Sequence, residues 1–157
     1  MSTNRGKDFE NVIRECFNKV PNTNVERMAD PVQGYLGVRN HCDFIVYHKP
    51  QEYHIECKSV HGNTFPFSNL TKNQWEGLLE VSKIDGIIAG VIVWWVDKDV
   101  TRFIPIHVLQ CMRDIMLYKS VRYDTIDVGP IYDIKGKKKR VFFDYDMEEF
   151  FKEVEKH

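Results

Sequence analysis

Asp43 precedes the tripeptide Glu56-Cys57-Lys58 by thirteen positions, and each lies in a run with strand character. The first run is Asp43-Phe44-Ile45-Val46-Tyr47-His48 and the second is Glu52-Tyr53-His54-Ile55-Glu56-Cys57-Lys58, with Lys49-Pro50-Gln51 supplying turn chemistry between them. Side chains alternate along a strand, so Glu56 and Lys58 share one side and Cys57 takes the other. Pairing the two runs as a hairpin brings Asp43 beside Glu56. Two carboxylates and an ammonium on one patch of sheet suit metal-dependent phosphodiester hydrolysis: carboxylate oxygens hold a hard divalent cation, and the lysine steadies the attacking water or the charge on phosphate. Glu-x-Lys on the solvent face of a strand is also common without any catalytic role, so the surrounding elements decide between the two readings.

The chain has 157 residues, which fits a single domain, here residues 1–157, with enough length to bury a core. Hydrophobic residues at 43% and aromatics at 13% exclude a disordered chain. The longest apolar run, Ile87 to Val96, is too short for a membrane span and suits a buried strand. The polar start from Met1 to Lys7 does not resemble a secretion signal, so a cytoplasmic, non-membrane protein is expected. Cys16, Cys42, Cys57 and Cys111 form no CxxC pair and are expected to be reduced and mostly buried, with Cys57 in the core. With 22 basic and 23 acidic residues the net charge is −1, which argues against holding nucleic acid by bulk charge and requires any basic contacts to be grouped.

Around the hairpin the elements follow in order. Phe9, Val12, Ile13, Cys16 and Phe17 form one apolar stripe, predicting a helix over Asp8 to Asn18 with Glu10 at the stripe's edge. Glu10 there is equally a surface carboxylate at the favourable end of the helix dipole. Val25 to Met28 reads as an opening strand and Pro31 to Asn40 as a loop. Thr71 and Gln74 form a capping box for a second helix with Trp75, Leu78, Leu79 and Ser82 on one face, which gives Gln74 a purely structural explanation. Ile87 to Val96 is predicted as a central strand covered on both faces, followed by a strand from Val100 to Ile104. Pro105 opens a third helix to about Leu117, with Val108, Leu109, Met112, Ile115 and Met116 for packing. Ile131 to Ile134 and Arg140 to Tyr145 are expected to pair around a basic tip at Lys135 to Lys139, before a short helix from Asp146. A tight hairpin must be antiparallel, so the expected fold class is α/β, a mixed central β-sheet flanked by helices rather than a doubly wound fold.

A helix with a glutamate, strands with Asp and Glu-x-Lys, and a helix opening on a polar residue together resemble the PD-(D/E)XK nuclease superfamily, with its restriction-endonuclease-like core. Within it the chain resembles the RecU-type Holliday junction resolvases, including phage-encoded relatives. The resemblance runs from Arg5 to about Val121 and rests on Arg5-Gly6-x-x-x-Glu10, Cys42-Asp43-Phe44, Glu56-Cys57-Lys58, Phe65 to Gln74, and Lys119-Ser120-Val121. It implies a divalent-metal-dependent DNA endonuclease acting at four-way junctions in recombination and repair, working as a homodimer. Asp43 and Glu56 would bind Mg²⁺ or Mn²⁺. Gln74 would add an oxygen ligand or position water, Lys58 would stabilise the nucleophile or transition state, and Glu10 would help bind metal or orient water.

Two features depart from the family pattern. The residue two before the aspartate, often threonine and part of the metal site, is His41 here. Imidazole is a less natural magnesium ligand, although it could ligate manganese. Eleven residues separate Pro31 from Asp43, too few for the extended junction-engaging arm common in the family. Archaeal-type junction resolvases share the Glu, Asp, Glu-x-Lys skeleton without such an arm, and Arg27 sits where their opening strand carries a basic residue. Arg5, Lys7, Arg27, Lys72, Lys137 and Lys138 are the candidate DNA contacts, the last two from the Lys135 to Arg140 cluster, which is equally readable as a solvated tip. The alternatives are a superfamily endonuclease with another DNA substrate in replication, repair or restriction, and a non-catalytic DNA-binding module of the same fold.

Overall fold

In the computed structural model, residues 5–28 and 40–156 are described. The expected loop from 31 to 40, and with it the short arm, falls almost wholly outside them. The chain opens with helix α1 (Arg5–Asn18) and continues through strands β1 (Thr23–Arg27), β2 (Phe44–His48), β3 (Gln51–Val60) and β4 (Thr64–Pro66). Helix α2 (Lys72–Ser82), strands β5 (Ile87–Trp95) and β6 (Val100–Pro105) and helix α3 (Ile106–Asp114) follow. The remainder is β7 (Ser120–Arg122), β8 (Tyr132–Asp133), β9 (Gly136–Lys138), β10 (Phe143–Tyr145) and helix α4 (Met147–Val154).

Six strands form one mixed sheet in the order β1-β2-β3-β5-β6-β8. Only β3 and β5 run parallel, joined by the crossover that carries β4 and α2, because two parallel strands cannot be connected by a tight turn. β5 is flanked on both edges and buried on both faces, which is why its sequence is apolar without alternation. Its odd and even residues serve different layers. Ile92 and Trp94 pack with Phe9, Ile13 and Phe17 of α1 and Phe150 and Phe151 of α4, while Val91, Val93 and Trp95 pack with Trp75 and Leu78 of α2 and Leu109 and Met112 of α3.

The same alternation sorts β3. Tyr53, Ile55 and Cys57 enter the α1 and α4 layer, so His54, Glu56 and Lys58 occupy the face that α2 covers. Among the described helices none is long and apolar enough to cross a membrane.

Boundaries differ from the sequence expectation at identifiable places. α1 begins at Arg5 rather than Asp8, and β1 begins at Thr23. α3 stops at Asp114, so Ile115 and Met116 do not pack: they are 75% and 38% exposed. Leu117 adopts a left-handed φ of 62° and Tyr118 N–H donates to Met112 O at 2.8 Å, turning the chain so that Lys119 O accepts from Phe67 N–H and β7 pairs with β4. The late hairpin is also displaced. β8 adds to the main sheet beside β6, while β9 pairs with β10, so Lys137 and Lys138 lie on a strand and the turn comprises residues 139–142. The paired position 136 needs glycine, since any Cβ there would stand 2.6 Å from Asp144 O. Cys16, Cys42 and Cys57 are buried thiols, but Cys111 is exposed.

Gly90 leaves no room for a side chain in the central sheet: a Cβ would lie 2.4 Å from Ile104 O and 2.8 Å from the Phe103 ring. Gly90→Ala is expected to destabilise the protein by about 1–3 kcal/mol, the usual range for overpacking. Denaturant unfolding measures it, and an unchanged midpoint would mean that β5 and β6 part more easily than this contact implies.

Candidate active site

At the open end of the β2–β3 hairpin, Asp43 is held by its backbone on both sides. Its N–H donates to Ile55 O at 2.9 Å, and its carbonyl accepts from Met28 N–H at 2.9 Å. Its side chain turns back to β3, where Oδ2 accepts from Cys57 N–H at 2.8 Å. Asp43 and Glu56 line one pocket of about 190 Å³ with Glu10, Arg27, Met28, Asn40, Cys42 and Gln74. The alternation of β3 and the pairing with β2 together put both carboxylates on the α2 side.

Glu56 is 4% exposed. Its Oε2 faces Lys58 Nζ at 3.4 Å and accepts from Gln74 Nε2 at 3.1 Å. Gln74 reaches it because the capping box has fixed the amide. Gln74 N–H donates to Thr71 Oγ1, and Gln74 Oε1 accepts from Thr71 N–H at 3.0 Å, which leaves the amide nitrogen directed at Glu56. Across the pocket, Glu10 on α1 pairs with Arg27 on β1 at 3.4 Å.

Burial dominates the acidities. Burial pushes Glu56 up to about 8, the Asp43 charge adds to it, and Lys58 opposes. Asp43 is raised to about 6, again by burial first, with Cys57 N–H pulling it down and the Glu10 charge pushing it up. The pocket thus holds three carboxylates against Lys58 and Arg27, and its donors toward a cation are oxygens. That donor set and charge imbalance fit a hard divalent cation.

Of the residues singled out by sequence, Glu10, Arg27, Asp43, Glu56 and Gln74 share the pocket, and Lys58 joins them through Glu56. His41 is not among the pocket's lining residues: its Nε2 meets His54 Nδ1 at 2.7 Å. The Arg5 guanidinium lies over the Trp94 ring at 6.0 Å. Lys7 is exposed on α1, and Lys72 is exposed at the start of α2, 3.9 Å from Glu76. Lys138 pairs with Asp99 at 2.8 Å, and Lys137 is its exposed neighbour on β9; neither lines the pocket. Cys42, read from sequence only as a buried thiol and a motif neighbour of Asp43, also lines the pocket, and so do Asn40 and Met28, loop-flanking residues that carry no periodic signal. His54 could have been found, since it shares the even-numbered face of β3 with Glu56 and Lys58.

A mixed sheet with helices on both faces is the α/β architecture expected from the sequence. The family model described as Recombination protein U matches residues 16–145, and the chain belongs to that family. It is therefore a Holliday junction resolvase, an endonuclease of a divalent-metal-dependent kind. Glu10 lies just before the matched span. Among solved structures, the chain is similar to Hjc, a Holliday junction resolvase from the archaeal hyperthermophile Archaeoglobus fulgidus, at 19% identity and a TM-score of 0.47, over 66% of this chain and 78% of that one. No curated protein sequence matches.

A carboxyl whose acidity falls on folding binds its proton more tightly in the folded than in the unfolded state. For Glu56 the resulting stabilisation is complete below pH 4.5 and is lost as pH rises to about 8. Metal-free protein is accordingly expected to melt at falling temperature across that interval, and Glu56→Gln to flatten the slope. Calorimetry as a function of pH provides the check; an equally steep slope in the variant would rule Glu56 out as its source.

Proposed function

We propose that this chain cuts four-way DNA junctions at the pocket formed by Glu10, Asp43, Glu56 and Gln74, with Mg²⁺ as its working cation and Mn²⁺ able to substitute. The observation that carries this reading is the convergence of half-buried Asp43 and buried Glu56 in one pocket, on one side of the sheet, with too little positive charge beside them. Asp43 and Glu56 hold the cation, and Glu10, steadied by Arg27, contributes a third carboxylate. When bound, the cation supplies Lewis-acid chemistry: it acidifies water and offsets negative charge at phosphorus.

The other side chains act through position and charge. Gln74 presents its amide N–H to Glu56 and so fixes that carboxylate's rotamer, a different contribution from the oxygen ligand suggested by family resemblance. Lys58, one face-repeat beyond Glu56 on β3, carries its ammonium to the pocket's margin, where it stabilises the phosphate or the attacking water. Arg5, Lys7, Arg27 and Lys72 are proposed to meet backbone phosphates near the cut, and Lys137 and Lys138 to meet a flanking arm. Resolution takes two symmetric cuts, so two copies related by a twofold axis are proposed to act together as a homodimer, each a single nuclease domain working in the cytoplasm.

A synthetic four-way junction, a linear duplex and a flap substrate, each with Mg²⁺ or Mn²⁺, test this directly. The junction is expected to be cut fastest. Asp43→Asn and Lys58→Ala are each expected to slow cutting by about 10²–10³-fold or more while junction binding persists. Equal cutting of duplex and junction would remove the selectivity, and an active Asp43→Asn protein would remove the site.

Cation uptake should itself depend on pH. With Glu56 raised to about 8 and Asp43 to about 6, the pair retains a proton near neutrality that the cation must displace. Mg²⁺ affinity is expected to rise with pH over that range, by up to about tenfold per unit, and to level off above it. Calorimetry in buffers of different ionisation enthalpy counts the released protons. Binding without proton release would contradict the charge state assigned to the pocket.

A further inference from the structure

Beside the carboxylate pocket, we propose that His41, Cys42 and His54 form a second, softer cation site whose ligand is Zn²⁺. The proposal goes beyond the nuclease reading and does not depend on it. One ligand atom from each residue lies within 4.8 Å of the other two, with Cys42 and His54 buried and His41 half-buried. Two imidazole nitrogens and a thiol select a borderline-soft ion, whereas the neighbouring oxygens of Asp43 and Glu56 select a hard one.

Details around the cluster support the assignment. Glu52 Oε2 sits 2.8 Å from His54 Nε2. A carboxylate can only accept there, so His54 carries its proton on Nε2 and directs the Nδ1 lone pair at His41. This carboxylate–histidine pairing is how metal-bound imidazoles are commonly fixed in tautomer and orientation. His41 Nε2 stands 2.7 Å from that Nδ1, so a single proton now fills the space between the nitrogens. A zinc ion with Zn–N of about 2.0 Å and Zn–S of about 2.3 Å sets its ligand atoms roughly 3.5 Å apart. That spacing lies between the present 2.7 Å nitrogen pair and the 4.8 Å outer limit of the cluster.

The backbone is braced as well. Gly77 of α2 sits directly against His41, where a Cβ would lie 2.3 Å from His41 Cβ.

The consequence is structural. His41 and Cys42 lead directly into Asp43, and His54 is two residues before Glu56, so an ion held by all three fastens the segment entering β2 to β3. Both hard-site carboxylates then have their backbones pinned.

Titration with Co²⁺ as a spectroscopic stand-in, and with Zn²⁺, tests this in the whole chain and in an Asp43→Asn/Glu56→Gln variant that silences the hard site. Expected are a near-ultraviolet sulfur-to-cobalt charge-transfer band at stoichiometric Co²⁺, visible bands of low-coordinate cobalt, and a melting temperature raised by Zn²⁺. The band should be lost in Cys42→Ser and kept in Cys111→Ser, and excess Mg²⁺ should not displace the ion. His41→Gln, which truncates the less buried ligand, should lose the Zn²⁺ shift while retaining the circular dichroism of the folded protein. Absence of a thiolate band, its survival in Cys42→Ser, or displacement by Mg²⁺ would each overturn the proposal. Because these readouts need no DNA, they fail or succeed separately from junction cutting.

Discussion

Placing two carboxylates on the same side of a sheet, one buried and the other half-buried, is the constraint around which the rest of this molecule is arranged. An ionised carboxylate loses much of its hydration when buried, and a second one nearby makes matters worse. The surroundings of Asp43 and Glu56 read as a set of partial remedies: Cys57 N–H for the aspartate, Lys58 and the Gln74 amide for the glutamate, and Arg27 for Glu10 opposite. None neutralises the pocket fully, which is why a small divalent ion is proposed to bind there.

The two apolar layers supply the rigidity that such an arrangement needs. Aromatic side chains of α1 and α4 fill one face, and α2 with α3 fills the other, so β3 and β5 cannot rotate or slip without disturbing both. β3 is the strand where function and packing meet. Its odd residues Tyr53, Ile55 and Cys57 are core, and the alternating His54, Glu56 and Lys58 are its polar series. Slipping its register by one position would exchange those sets and bury the charges among aromatics, so the pairing that builds the core also fixes the chemistry.

The α2 cap serves both ends as well. Thr71 and Gln74 satisfy each other's backbone groups, as such a box does in any helix, yet the same bond turns the Gln74 amide nitrogen toward Glu56. A structural and a positioning role coincide in one side chain, because the rotamer that turns Oε1 to Thr71 N–H leaves Nε2 facing Glu56. The sequence allowed either role, and where α2 docks on the sheet lets the one side chain serve both.

Much of the frame was legible in the residues themselves. The capping box, the apolar stripe of α1, the unalternating run of β5 and the turn chemistry between β2 and β3 are local signals, written in spacings of a few positions, and they located those elements within a few residues. Signals that depend on distant partners were not legible. The end of α3 is set by the need to bring Ser120–Arg122 against β4, so Ile115 and Met116 extended the helical pattern on paper but project into solvent. The basic segment near the end was misplaced by several residues because β8 is claimed by β6, which no local propensity records. His41 and His54, thirteen positions apart, meet only through the hairpin and the seat provided by Gly77. Residue order alone thus determined which side chains each strand and helix presents. Tertiary pairing, through burial and the competition for backbone partners, decided which of them share a pocket and in what charge state.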